Sequence, residues 1–124
     1  MTVLVVDDER DVELLFRQRF RKELRAGIID LAFAFSGEEA IEYLERTNAD
    51  IVLVLSDINM PGMNGLELLR KLKERLPQLP VYMVTAYEGD FHARAIELGA
   101  DGYFNKPIDF DDLKRRILLL ARVE

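Results

Sequence analysis

Five polar residues suited to metal or phosphate chemistry stand at or just beyond the ends of apolar runs. They are Asp7 and Asp8 after residues 3–6, Asp57 after residues 51–55, Thr85 after residues 81–84, and Lys106 after residues 103–104. Apolar runs without polar alternation are typical of strands buried on both faces of a parallel sheet. Because the carboxyl ends of such strands meet at one edge, we expect these side chains to converge there.

The three aspartates would repel one another if they converged. At an effective dielectric of about 20, each pair of carboxylates some 5 Å apart costs roughly 3 kcal/mol, which a bound cation would offset. Oxygen ligands without histidine or cysteine favour Mg²⁺ or Ca²⁺. The small number of ligands favours Mg²⁺, because that ion keeps several waters and shares its shell with phosphate.

Lys106 adds a positive charge to this set, and Thr85 adds a hydroxyl donor. A metal, an ammonium group and a hydroxyl around one carboxylate suit phosphoryl transfer to that carboxylate, because the charge on the transferred oxygens must be neutralised. Aspartate is a known nucleophile in such reactions and forms an aspartyl phosphate. The set is therefore suited to aspartate phosphorylation.

The rest of the chain predicts the framework that would hold these residues. Five predicted strands alternate with five helices, each marked by apolar residues at helical spacing. Ser36 with Glu39, Asn64 and Asp109 are predicted helix caps, and Gly27 is predicted to end the first helix. Right-handed crossovers give a doubly wound, flavodoxin-like (βα)5 sheet, and the weak edge character of strands two and five favours the order 2-1-3-4-5.

Composition limits the possible functions. The 124 residues suffice for one domain, and 23 acidic against 17 basic residues give a net charge of −6, which argues against nucleic-acid binding. The absence of cysteine excludes disulfide and thiol chemistry, and we expect a cytoplasmic protein without a membrane span or signal peptide. The single histidine, His92, is expected to be a solvated helix residue, which disfavours a histidine-based metal site.

Four segments in chain order resemble the receiver domain of bacterial two-component response regulators, specifically the single-domain chemotaxis type. Residues 5–9 (VVDDE) resemble the acidic pair after strand one, and residues 56–65 (SDINMPGMNG) resemble the phosphoacceptor loop. Residues 84–86 (VTA) resemble the segment with the switch hydroxyl, and residues 103–107 (YFNKP) resemble the aromatic and Lys-Pro segment. The resemblance covers nearly the whole chain.

This resemblance implies a phosphoacceptor and a metal site. Asp57 would accept a phosphoryl group from a phosphohistidine of a partner. Asp8, Asp57 and the backbone carbonyl of Asn59 would bind Mg²⁺, and Asp7 would reach the ion through water.

The resemblance also implies a set of residues that respond to phosphorylation. Lys106 would contact the phosphoryl group, Thr85 would move toward it, and Tyr103 would turn inward behind Thr85. The peptide bond between Lys106 and Pro107 would be cis.

At the level of the whole protein, the resemblance implies a receiver domain over residues 1–124 without an output domain. Such a protein is a switch rather than an enzyme, and it catalyses only its own phosphorylation and dephosphorylation. A sensor histidine kinase or a histidine phosphotransfer protein would be the donor. A downstream protein would bind the face formed by the fourth predicted helix, strand five and the last helix, with a monomer or a phosphorylation-dependent dimer both open.

Other functions remain open on the residues alone. Asp57-x-Asn59 distantly resembles the Asp-x-Asp start of haloacid-dehalogenase-type phosphatases, but the second aspartate and a cap domain are missing from the sequence. A phosphate-independent interaction module with the same fold is a second alternative. A nucleotide-binding flavodoxin or Rossmann domain is disfavoured, because aspartates rather than glycines follow Val6.

Tyr87 departs from the pattern of the chemotaxis regulators. It stands two residues after Thr85, where those proteins carry an acidic residue. We hypothesise that its ring partly shields the phosphoryl group and slows hydrolysis.

Overall fold

The structure confirms the predicted doubly wound sheet and its strand order. This computed structural model describes residues 1–86 and 90–122. The strands are β1 (Thr2–Val6), β2 (Asp30–Ala34), β3 (Ile51–Asp57), β4 (Val81–Thr85) and β5 (Gly102–Asn105). The helices are α1 (Asp11–Arg19), α2 (Arg21–Arg25), α3 (Gly37–Arg46), α4 (Gly65–Arg75), α5 (Asp90–Glu97) and α6 (Phe110–Arg122). All paired strands are parallel, in the order β2-β1-β3-β4-β5.

Two apolar cores lie on opposite faces of the sheet, because successive side chains of a strand point to opposite sides. Val3 and Val5 of β1 belong to the core beneath α1 and α6, whereas Leu4 and Val6 belong to the core beneath α3, α4 and α5. Every residue of β1 is buried, as its unbroken apolar run predicts. Among the described helices, none has the length and apolar character to cross a membrane.

The first helix differs from the prediction of one continuous segment. Phe20 separates α1 from α2 with φ −101° and ψ 15°. Its ring is fully buried and stacks on that of Phe16, with centroids 5.9 Å apart. The distortion is local, because the N–H of Phe20 still donates to the carbonyl of Phe16 at 2.9 Å. Gly27 follows α2 with φ +71°, as expected of a glycine that ends a helix.

The predicted helix caps are present. The side chains of Asn64 and Asp109 accept hydrogen bonds of 3.0 and 3.1 Å from N–H groups three residues later. Ser36 caps α3 in the same way at 3.0 Å. In a complete capping box the Glu39 carboxylate would accept from the N–H of Ser36. Here it accepts from the N–H of Phe35 at 3.3 Å instead.

A polar brace that the sequence did not reveal joins α4 to the starts of β4 and β5. The ammonium group of Lys73 donates to the carboxylate of Asp101 at 2.6 Å and to the carbonyl of Leu79 at 2.9 Å. The same carboxylate oxygen accepts from the N–H of Val81 at 2.8 Å. The brace therefore anchors the two strands whose far ends carry Thr85 and Lys106.

Candidate functional site at the carboxyl edge of the sheet

The carboxyl edge of the sheet brings the predicted site residues together. Asp57 ends β3, Thr85 ends β4, Asp7 follows β1, and Lys106 follows β5. Backbone pairing continues past the strand ends, where the N–H of Asp7 donates to the carbonyl of Ala34 at 3.1 Å. The N–H of Lys106 likewise donates to the carbonyl of Thr85 at 2.9 Å. Hydrogen bonds of the sheet therefore hold the backbone at these positions in place.

Three carboxylates form an acidic cluster at this edge. Oxygen atoms of Asp7, Asp8 and Asp57 all lie within 4.8 Å of one another. Asp7 and Asp57 are buried, and Asp8 is more exposed. The N–H of Glu9 donates to the Asp7 carboxylate at 3.0 Å and so holds its orientation.

Lys106 is the cation that faces this cluster. Its ammonium nitrogen lies 3.4 Å from an oxygen of Asp57 and 3.5 Å from an oxygen of Asp7. The Lys106 side chain is 32% exposed, whereas those two carboxylates are 8% exposed. The ammonium group thus contacts two of the three carboxylates, and within the described part of the chain no other ion pair reaches the cluster, which leaves it with an excess of negative charge.

Burial and the excess of negative charge shift the pKa values of Asp57 and Lys106. Burial and the charge of Asp7 raise the pKa of Asp57 above its ordinary value of 3.8, although Lys106 and the N–H of Asn59 oppose the rise. Burial by itself would lower the pKa of Lys106, but the charges of Asp57 and Asp7 raise it. Lys106 therefore stays protonated, and Asp57 ionises at an electrostatic cost.

This cost predicts that Asp57→Asn stabilises the domain in metal-free buffer. A carboxyl whose pKa is higher in the folded than in the unfolded state penalises folding once pH exceeds the folded value. We expect the free energy of unfolding of the variant to rise by about 1–2 kcal/mol at pH 7. This is the order of magnitude of the repulsion between two carboxylates when a nearby ammonium group offsets part of it. Urea unfolding at several pH values measures this gain.

The gain should shrink as pH falls through the raised pKa of folded Asp57 and should vanish below 3.8, where the carboxyl is protonated in both the folded and the unfolded state. Asp50→Asn, an exposed aspartate just before the other end of β3, is the matched control and should change stability little. A destabilised Asp57→Asn at pH 7 would contradict the electrostatic account.

The donor set of the cluster suits a hard divalent cation. Carboxylate oxygens are the ligands that Mg²⁺ prefers, and the negative excess of the cluster is what such an ion would neutralise. Asn59, the predicted carbonyl ligand, is an exposed residue two positions after Asp57, and its N–H faces the Asp57 carboxylate. The three carboxylates therefore fit the expected Mg²⁺ site, and the carbonyl of Asn59 as a ligand stays a prediction.

The loop after Asp57 is held close to β3. Gly62 follows Pro61 and has φ +73°, the conformation that the second central position of a type II turn requires. The N–H of Gly65 donates to the carbonyl of Ile58 at 2.8 Å. A side chain at position 65 would overlap the carbonyl of Asp57, so the first residue of α4 must be glycine for this close approach.

The candidate switch residues lie beside the acidic cluster, between β4, β5 and α5. Thr85 is fully buried, and the hydroxyl oxygen of Tyr103 is buried close enough for the two hydroxyls to interact. Burial raises the pKa of Tyr103, and the interaction with Thr85 opposes the rise. The Lys106–Pro107 bond is cis, as expected. Tyr87, the predicted shield of the phosphoryl group, lies outside the described residues.

A cavity of about 480 Å³ opens beside the cluster, on the side of the sheet that α1 covers. Its walls are mostly apolar and come from α1 and from the segment after β5, including Leu15, Phe16 and Ile108. Asp57 and Lys106 also line it. The cavity therefore gives access from the surface to the Asp57 carboxylate.

Comparison with known proteins identifies the family. Residues 3–118 match the model of the response regulator receiver domain. The chain is 39% identical over 111 residues to the DNA-binding transcriptional regulator NtrC of Escherichia coli, covering 89% of this chain and 22% of that protein. It is 34% identical over 118 residues to a cyclic di-GMP phosphodiesterase of Thermotoga maritima, covering 94% and 30%. The chain thus spans less than a third of these two relatives.

Solved structures agree in fold over almost the full length. A CheY-like response regulator receiver domain protein from Methanospirillum hungatei has a TM-score of 0.82 at 26% identity, covering 99% of this chain and 98% of that one. A receiver domain protein from Clostridium thermocellum has a TM-score of 0.82 at 27% identity, covering 98% and 94%. With its five-stranded sheet and its acidic edge, the chain belongs to the receiver domain family of two-component response regulators.

Proposed function

We propose that this receiver domain accepts a phosphoryl group on Asp57 and thereby switches its affinity for a partner protein. The observation that carries the proposal is the arrangement of Asp57, which is buried between a second carboxylate and an ammonium group at the end of a central strand. A buried carboxylate beside a second one lowers the stability of the fold, and Asp57 does not belong to either apolar core. We therefore attribute its position to a chemical function.

In the proposed reaction an ionised oxygen of Asp57 attacks the phosphorus atom of the donor. A bond from that oxygen to phosphorus forms, and the bond from phosphorus to the donor breaks as the donor leaves with its electron pair. The leaving group is acetate when acetyl phosphate is the donor, and it is neutral imidazole when the donor is a phosphohistidine whose other ring nitrogen carries a proton. Asp57 must be ionised, and Lys106, which opposes the rise in its pKa, favours that state.

The chain's own residues divide the remaining work. Asp8, Asp57 and the carbonyl of Asn59 would hold Mg²⁺, and Asp7 would hold it through water. Bound there, the ion supplies charge neutralisation for the phosphoryl oxygens. Lys106 reaches Asp57 already and would bind an equatorial phosphoryl oxygen as charge develops on it.

The response to phosphorylation would pass through Thr85 and Tyr103. A hydrogen bond from Thr85 to a charged phosphoryl oxygen contributes about 1.5–3 kcal/mol. Shifting a two-state equilibrium from 1:99 to 99:1 takes about 5.5 kcal/mol, so contacts of Lys106 or of the bound partner must supply the rest. The predicted output face, formed by α5, β5 and α6, exposes Ile96 and Leu119 by about half, which suits a protein partner.

The experiment is incubation with acetyl phosphate, with and without Mg²⁺, followed by intact mass measurement. We expect a gain of one phosphoryl mass that requires Mg²⁺ and that Asp57→Asn abolishes. Asp50→Asn, which removes an exposed aspartate beside the opposite end of β3, should be phosphorylated as well as the wild type.

Absence of an adduct under conditions that slow hydrolysis would favour a phosphate-independent interaction module instead. Turnover of small phosphate esters would favour an aspartate-based phosphatase of the haloacid-dehalogenase type.

The phosphoryl donor would be a sensor histidine kinase or a histidine phosphotransfer protein. The cytoplasmic location, the extent of the whole protein and its oligomeric state remain predictions from the sequence.

A further inference from the structure

His92 makes a specific ring contact that its place on an exposed helix did not suggest. Its ring centroid lies 4.5 Å from that of Tyr103, with an angle of 19° between the ring planes. The residue is exposed, as expected, but its ring covers one face of the tyrosine. The contact joins α5 to the edge strand β5.

Tyr103 makes two contacts besides the stack with His92. Its hydroxyl oxygen is buried beside Thr85, and its ring packs against the core beneath α3, α4 and α5. In the sheet, Tyr103 pairs only with Met83 of β4, because β5 is an edge strand. On the side of α5, the ring of His92 stacks on Tyr103.

We propose that His92 is a positioning residue whose imidazole ring, stacked on Tyr103, holds the tyrosine hydroxyl beside Thr85. The stack biases Tyr103 toward its buried orientation by about 2- to 10-fold, the fold-change that corresponds to the 0.5–1.5 kcal/mol of an aromatic pair. A movement of α5 would weaken the stack and release the ring. The consequence for signalling rests on the proposed function, but the positioning itself does not.

The test observes Tyr103 directly in the unphosphorylated protein. Ring-labelled tyrosine gives one set of aromatic signals for each of the four tyrosines in the chain, and Tyr103→Phe identifies the set that belongs to Tyr103. In His92→Ala the nuclear Overhauser contact between the Tyr103 ring and the methyl group of Thr85 should weaken, and the Tyr103 signals should move by more than the loss of the imidazole ring current alone produces. In His92→Phe, which keeps an aromatic ring, the contact with Thr85 should persist.

Arg94→Ala is the matched control, because it removes another exposed side chain of α5. The Tyr103 signals should be unchanged in this variant, and the signals of Tyr43 and Tyr82 should be unchanged in all variants. An undiminished contact between Tyr103 and Thr85 in His92→Ala would overturn the proposal. Equal movement in His92→Ala and His92→Phe, or movement in Arg94→Ala, would also overturn it, because the ring would then not be the cause.

The same samples separate this inference from the proposed function. Intact mass after incubation with acetyl phosphate and Mg²⁺ reports the chemistry of Asp57, which His92 does not touch. We expect His92→Ala to take up phosphate as the wild type does. Failure of uptake in every sample would sink the phosphoacceptor proposal and leave the result on Tyr103 standing.

Discussion

Lys106→Gln is expected to slow phosphoryl uptake from acetyl phosphate by about 100-fold or more. The ammonium group lies 3.4 Å from Asp57 and is placed to meet the charge that develops on the phosphoryl oxygens. Removing one such preorganised donor typically costs about 10²–10³ in rate. The measurement is the initial rate of phosphorylated protein formation, followed by intact mass at a fixed Mg²⁺ concentration.

The loss of rate in Lys106→Gln should also depend on pH. Lys106 opposes the effect of burial and of Asp7 on Asp57, so its removal should raise the pKa of Asp57 further. A smaller fraction of Asp57 is then ionised at low pH, and the deficit of Lys106→Gln should grow as pH falls.

Lys22→Gln makes the same chemical change on the exposed surface of α2 and should leave the rate unchanged. A Lys106→Gln variant that is phosphorylated within a few-fold of the wild-type rate would show that the ammonium group does not act on the transferred phosphoryl group. Its role would then be limited to the stability of the acidic cluster.

Gly65→Ala is expected to lower the free energy of unfolding by about 3 kcal/mol, at the upper end of what overpacking usually costs. A Cβ atom at this position would overlap the carbonyl oxygen of Asp57 and would lie 2.7 Å from the Cα of Ile58. Both obstacles are backbone atoms of the site, so relief requires α4 to move away from β3. Urea unfolding gives the stability, and acetyl phosphate uptake should fall because Asp57 shifts with its loop.

Gly37→Ala is a closely matched control. Gly37 and Gly65 each begin a helix directly after a capping residue, Ser36 or Asn64. A Cβ atom at position 37 would lie 2.8 Å from the sulfur of Met63, which is a flexible side chain that can turn aside. We expect a change of at most about 1 kcal/mol there. Equal effects of the two substitutions would show that the approach of α4 to Asp57 is not the constraint.

The framework was largely predictable because its signals are local. The unbroken apolar runs of β1 and β3 reflect burial on both faces, and the side chains that cap helices are recognisable from their type and spacing. The division of the first helix was not predictable. Phe20 packs against Phe16 of the preceding turn and also against Phe110, which lies 90 positions further along the chain, and that second contact has no local signal.

The fold class, the strand order and the candidate residues Asp7, Asp8, Asp57, Thr85 and Lys106 could be inferred from sequence patterns, because each of these residues stands at the end of a recognisable strand. Which atoms meet is visible only in the folded chain. The separation of Lys106 from two carboxylates, the approach of Gly65 to Asp57 and the stacking of His92 on Tyr103 each join residues from different elements. Such contacts depend on which strands are neighbours in the sheet and on how the helices pack against it, and neither leaves a local pattern in the sequence.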